Sequence, residues 1–242
     1  HISYSSLGDL MAILGTFSNL ASAFVFLFFV WLLTHYTLYK NKFKNRLAFS
    51  LTAGIVLLLW FAIVASLGST GFFAKNPLVA PWLAVGFLIL FEFLRRVYNS
   101  KKVFSVVSLM PMHWLIAIQF YRIVGVGFLI LYAQGVLPAA FAFSAGFGDI
   151  IVGLSAPIVA LLYYLKKPYA KKLAIIWNII GILDLIVALS VGFLGFPKPV
   201  QFLPLTPTTE QLGLFPLVMI PLFAVPLALL LHFLGLKVLK KK

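Results

Sequence analysis

The sequence has no cysteine. Disulfides, iron–sulfur clusters, thiolate zinc sites and cysteine nucleophiles are therefore excluded. Charge is also scarce: only 10% of the 242 residues carry one, where a soluble domain has roughly 25%. Acidic groups are scarcest, five Asp and Glu against 19 Lys and Arg, for a formal net charge of +14. Apolar residues fill the chain instead, 63% of it, and the mean hydropathy is +1.10. That composition rules out a soluble globular enzyme and a disordered chain. It is the composition of an integral membrane protein.

A hydrocarbon core about 30 Å thick needs roughly 20 helical residues to cross it. Seven runs qualify, near 10–33, 47–67, 78–94, 112–133, 146–165, 173–195 and 214–236. The stretch Val103–Met110 reads as a separate interfacial piece, because Pro111 interrupts the run and favours a first helical turn. No basic region precedes the first apolar run, so no cleavable signal is expected. No connection is large enough to bury a core of its own, so residues 1–242 read as one transmembrane domain.

The basic residues follow the spans. Lys40, Lys42, Lys44 and Arg46 come after the first, and Arg95, Arg96, Lys101 and Lys102 after the third. Lys166, Lys167, Lys171 and Lys172 come after the fifth, and Lys237, Lys240, Lys241 and Lys242 after the seventh. These are 16 of the 19, all on alternate connections. The positive-inside rule then predicts an outside N-terminus and a cytoplasmic C-terminus. It also accounts for the net charge, so no nucleic-acid partner is expected. The basic loops would attract anionic lipid at the inner face. Trp31, Tyr36, Tyr39 and Trp114 near that face and Trp82 near the other suit interfacial anchoring.

A charged side chain within a span is costly, faces the bundle interior and pairs. Arg122 lies roughly 15 Å into the fourth span, and Asp184 lies at a similar depth in the sixth. Asn19 also reaches mid-depth, and Gln119 shares a helical face with Arg122. Asp149 reads as higher, near the outer start of the fifth span. The predicted site is an Arg122–Asp184 ion pair at mid-membrane with a polar lining of Gln119, Asn19, Asp149 and Asn178. It either fixes helix register or lines a cavity for a small solute or protons.

Gly146, Asp149, Gly153 and Ala156 fall on one face of the fifth span, a spacing that lets helices approach closely. The string Gly146-Phe147-Gly148-Asp149 also resembles the GxGD motif of intramembrane aspartyl proteases, which implies a catalytic pair of Asp149 and Asp184. In that family the other aspartate precedes the motif, whereas here it follows. His35, His113 and His232 fall near inner span ends, with Glu92 at similar depth. No HExxH-type spacing supports a metal or haem, and no cofactor is expected. The last span carries Pro216, Pro221 and Pro226, and proline removes internal hydrogen bonds. This helix is the one expected to bend.

From Gln119 onward a larger pattern emerges: Gln119-x-x-Arg122, Gly135-Val-Leu-Pro138, Gly148-Asp149, Ala156-Pro157, Trp177-Asn178, then Pro216, Pro221, Pro226 and His232. It resembles a group of small bacterial polytopic membrane proteins with no agreed activity. The resemblance implies an inner-membrane location and no mechanism, and a histidine often found there in place of Gln119 is absent here. Three functions stand as expectations: binding or passage of a small solute or protons, a non-catalytic subunit of a membrane complex, and an aspartyl protease.

Overall fold

A computed structural model describes the backbone of residues 4–73, 79–197 and 201–241, and the side chains of 20–73, 87–197 and 201–241. The described chain is all helical. In order it forms α1 (Tyr4–Lys40), α2 (Arg46–Ser69), α3 (Val79–Asn99), α4 (Lys101–Leu109) and α5 (Met112–Ala117). A 3₁₀ stretch (Ile118–Gly125), α6 (Val126–Ala133), α7 (Ala139–Tyr164) and α8 (Ala170–Leu194) follow. A short 3₁₀ turn (Glu210–Gly213), a π turn (Ile220–Ala224) and α9 (Val225–Lys241) complete it.

Six helical segments among the described residues are long and apolar enough to cross a membrane: Leu20–Lys40, Arg46–Ser69, Met112–Ala133, Ala139–Tyr164, Ala170–Leu194 and Ile220–Lys241. The run at 78–94 is helical as part of α3, but the side chains of its first residues lie outside the described ones. Several boundaries differ from the sequence reading: α1 runs on to Lys40 and α3 to Asn99. The helix predicted at 146–165 starts at Ala139 rather than near 146, because Pro138 holds an extended conformation (φ −72°, ψ 147°) and the alanine-rich segment after it is already helical. The last span reaches Lys241, since its terminal lysines continue the helix.

The piece before Pro111 is a separate helix, α4. The Ser100 hydroxyl caps it by accepting from the Val103 N–H at 3.3 Å. The helix stops where Met110, the residue before proline, turns extended. Val106 and Val107 are buried as α4 packs against α1 and α9.

The last span is the centre of the bundle: 72% of its apolar window is buried, against 11% for α2. Its prolines shape it. Neither Pro221 nor Pro226 has an N–H, and the chain widens between them into a π turn in which Val225 N–H bonds the Ile220 carbonyl. Pro226 cannot donate to the Leu222 carbonyl one turn back. Trp60 Nε1 of α2 donates to that carbonyl instead, at 3.0 Å. The Tyr121 hydroxyl donates to the Ala224 carbonyl at 3.4 Å. Trp60→Phe keeps an aromatic ring there but removes the donor together with the second ring of the indole. It should lower stability by about 1–3 kcal/mol, the cost of an unsatisfied buried acceptor, read as a lower unfolding midpoint in detergent. An unchanged midpoint would mean that Leu222 has another donor.

The basic helix ends gather at one end of the bundle. Lys237 Nζ donates to the Tyr98 carbonyl at 2.8 Å and sits 4.2 Å from the Tyr98 ring, joining the ends of α3 and α9. Lys44 and Lys102 line the mouth of one cavity, which also reaches Met110 and Leu115. His113 meets Tyr164 edge to face at 5.0 Å, bringing the end of α7 alongside.

Candidate functional site

The site is built where α7 meets its neighbours through glycine. A Cβ on Gly153 would stand 2.7 Å from the Ile123 backbone nitrogen, and one on Gly146 would stand 3.2 Å from the Gly125 carbonyl oxygen. The face of small residues read from the sequence is therefore the face that α7 lays directly on the 3₁₀ stretch. Gly125 on that stretch leaves room for the side chain of Asp149. On the other flank Gly148 faces the carboxylate of Asp184, with no space for a methyl group between them. Gly181 of α8 similarly makes room for His232, whose ring a Cβ there would meet at 2.6 Å.

These approaches converge on Arg122, which is 1% exposed. Its Nε donates to Asp149 Oδ1 at 2.7 Å, and its Nη2 donates to Asp184 Oδ2. The remaining nitrogen, Nη1, lies 3.5 Å from His232 Nε2. One guanidinium fork thus serves two carboxylates and an imidazole, a geometry that lysine does not offer.

The network continues into α8. His232 Nδ1 is 2.9 Å from Asn178 Oδ1, while Asn178 Nδ2 donates to the Ala174 carbonyl at 2.7 Å. Arginine only donates, so Nε2 must offer its lone pair and Nδ1 must carry the hydrogen given to Asn178. Trp177 packs on the same imidazole, ring centroids 5.2 Å apart, and donates from Nε1 to Ser155 Oγ at 2.9 Å.

Arg122 and Asp184, matched in depth in the sequence, form an ion pair. Asp149 is corrected: with α7 starting at Ala139 it lies roughly 15 Å into the helix, bonded to Arg122 and away from the helix start. Asn178 reaches the cluster through His232. Gln119 turns toward α9, where Nε2 is 3.4 Å from the Ala228 carbonyl and Oε1 has no partner among the described residues. The side chain of Asn19 lies outside the described residues.

The sequence places His232 near an inner span end, whereas the structure puts it within the cluster, between Arg122 and Asn178. It is fully buried, roughly 13 Å before Lys241. The lysine-rich tail hid this, because its charge ended the apolar run too early. The other histidines go elsewhere: His35 Nδ1 is 2.9 Å from Ser50 Oγ, and His113 packs on Tyr164. Glu92 is held by Arg95 and Arg96 on the exposed last turns of α3, at 2.6 and 2.8 Å. Among the described residues, no three of His, Asp and Glu are grouped to hold a metal ion.

A cavity of about 60 Å³ lies beside the cluster between α7, α8 and the last span. Phe128, Phe141, Leu185 and Pro221 form part of its wall, and Asp149 is the charged residue in its lining. The side chain of Asp149 is 16% exposed and that of Asp184 11%. One water needs about 10–15 Å³ of such space, so the cavity has room for a few waters or a small ion.

No curated protein and no solved structure matches this chain. A family match covers residues 79–240, which spans α3 to α9 and contains Gln119, Arg122, Asp149, Asn178, Asp184 and His232. Over that region, about two thirds of its length, the chain belongs to the family described as Domain of unknown function (DUF8737).

Proposed function

We propose that the protein is a seven-span, single-domain integral protein of a bacterial inner membrane, N-terminus outside and C-terminus cytoplasmic, that binds and passes a small cation through the Arg122 cluster, the proton foremost. The observation that carries this reading is the charge count at the cluster. One arginine faces two carboxylates, and the third partner is an imidazole in hydrogen-bonding contact. With both aspartates ionised and the imidazole neutral, the cluster holds one uncompensated negative charge in a low-dielectric interior. An unpaired buried ion is costly by several kcal/mol, so the site favours uptake of one positive charge.

The small cavity at Asp149 supplies the approach from one side. On the other, the His232 imidazole accepts from Arg122 Nη1, and because the guanidinium has no lone pair to take a proton, a proton taken up rests on the carboxylates. The same geometry weighs against an aspartyl protease. That chemistry needs the two carboxylates to share a proton around a water, and here each carboxylate is bound to Arg122.

Infrared titration of the reconstituted protein tests the reading. One carboxylic acid C=O band should appear as the pH is lowered, and it should vanish or shift in both Asp149→Asn and Asp184→Asn. If the protein shows no such band, or if neither variant alters it, the cluster takes up no proton and is a structural ion pair only.

A further inference from the structure

A second and larger cavity opens on the opposite side of the last span. Its volume is about 660 Å³, within the roughly 300–1,000 Å³ of small-ligand sites. It runs between α2, α4 and α9, walled by Val56, Leu57, Trp60, Val106, Leu230 and Leu234. Along α2 it extends from Asn45 to Trp60, roughly 22 Å at the helical rise. Apart from Thr34 and Thr52 its walls are apolar, but its mouth is not. Lys44, Asn45 and Lys102 line the end where the basic connections gather. Both lysines are exposed, and neither has an ion-pair partner among the described residues. The N-terminus of α2 adds its own partial positive charge there.

We propose that this crevice is a binding site for one anionic glycerophospholipid, with an acyl chain lying along α2 and the headgroup phosphate between Lys44 and Lys102. Length, apolar walls and a cationic mouth match the two halves of such a molecule. An uncharged lipid would satisfy only the first half, and a free phosphate only the second. The bound chain also covers the inward side of α2, the least buried of the six spans. The site shares no side chain with the Arg122 cluster, so it stands independently of the proton-binding reading.

Native mass spectrometry of the detergent-purified full chain, with added palmitoyl-oleoyl phosphatidylglycerol or phosphatidylcholine, reads the site directly. One phosphatidylglycerol should stay bound per chain under conditions that strip phosphatidylcholine. Lys44→Gln with Lys102→Gln should lower its retention roughly tenfold, since each lysine contributes to lipid attraction. Lys171→Gln with Lys172→Gln, on another basic connection, should leave it unchanged. Thr52→Trp, at an exposed position in the crevice wall, should reduce retention by filling the acyl track. Equal retention of the two lipids would overturn the proposal, as would equal losses from the two lysine pairs. Full retention in Thr52→Trp would also overturn it.

Discussion

Arg122→Ala should cost roughly 3–5 kcal/mol of folding stability, the range for breaking a buried ion pair. The size follows from what remains behind. Arg122 is 1% exposed and is the cation bonded to both Asp149 and Asp184. Without it two carboxylates stay close together in an apolar bundle, and burial and mutual repulsion oppose both. The measurement is the unfolding midpoint in detergent, with the yield of monodisperse protein as a second readout. Asp149→Asn or Asp184→Asn placed in the Arg122→Ala background should recover part of the loss, because each removes one stranded charge. That pattern of recovery separates electrostatic cost from the cavity left by a missing side chain. Arg122→Lys should fall between, since an ammonium lacks the planar fork that reaches both partners. An Arg122→Ala variant melting with the wild type would sink the cluster as either a structural or a functional centre.

Gly153→Leu should be the most damaging change outside the cluster. A Cβ there would already stand 2.7 Å from the Ile123 backbone nitrogen and 3.2 Å from the Arg122 carbonyl carbon. Backbone cannot swing aside as a side chain does, so α7 and the 3₁₀ stretch must separate. Overpacking typically costs about 1–3 kcal/mol and occasionally more, and the upper end is expected here. Separation would also lengthen the Arg122–Asp149 contact, so the titrating carboxyl band should shift as the midpoint drops. Gly127 provides the contrast. Nothing lies within 4 Å of a Cβ built on it, and Gly127→Ala should be neutral or stabilising by up to about 1 kcal/mol, because alanine is the better helix former. If Gly153→Leu were as harmless as Gly127→Ala, the close packing of α7 on the 3₁₀ stretch would be refuted.

Much of this protein is legible without coordinates. Hydropathy accumulates over about 20 residues, so membrane-length helices such as Arg46–Ser69 and Ala170–Leu194 stand out whatever packs beside them. Depth is legible too, because each helical residue advances the chain by about 1.5 Å. Counting from span ends was enough to match Arg122 with Asp184, and proline chemistry was enough to separate α4 from the helix after Pro111. The same arithmetic misplaced Asp149 and His232 wherever a boundary was wrong. The alanines after Pro138 and the lysines after Leu236 belong to helices that composition alone had cut short.

What only the tertiary structure decided is rotation about each helix axis and choice of neighbour. The row Gly146, Asp149, Gly153 announced a close approach in the sequence, but a run of small residues permits many partners and names none. Packing chose the 3₁₀ stretch, and that choice turned Asp149 onto Arg122. Likewise Gly181 opened the space that His232 fills, Trp60 found the carbonyl left free by Pro226, and the gap between α2, α4 and α9 became a crevice with lysines at its mouth. Hydropathy and helical rise are properties of one segment and can be summed along the chain. Pairing of polar groups depends on which two surfaces meet, and that is settled only when the whole bundle packs.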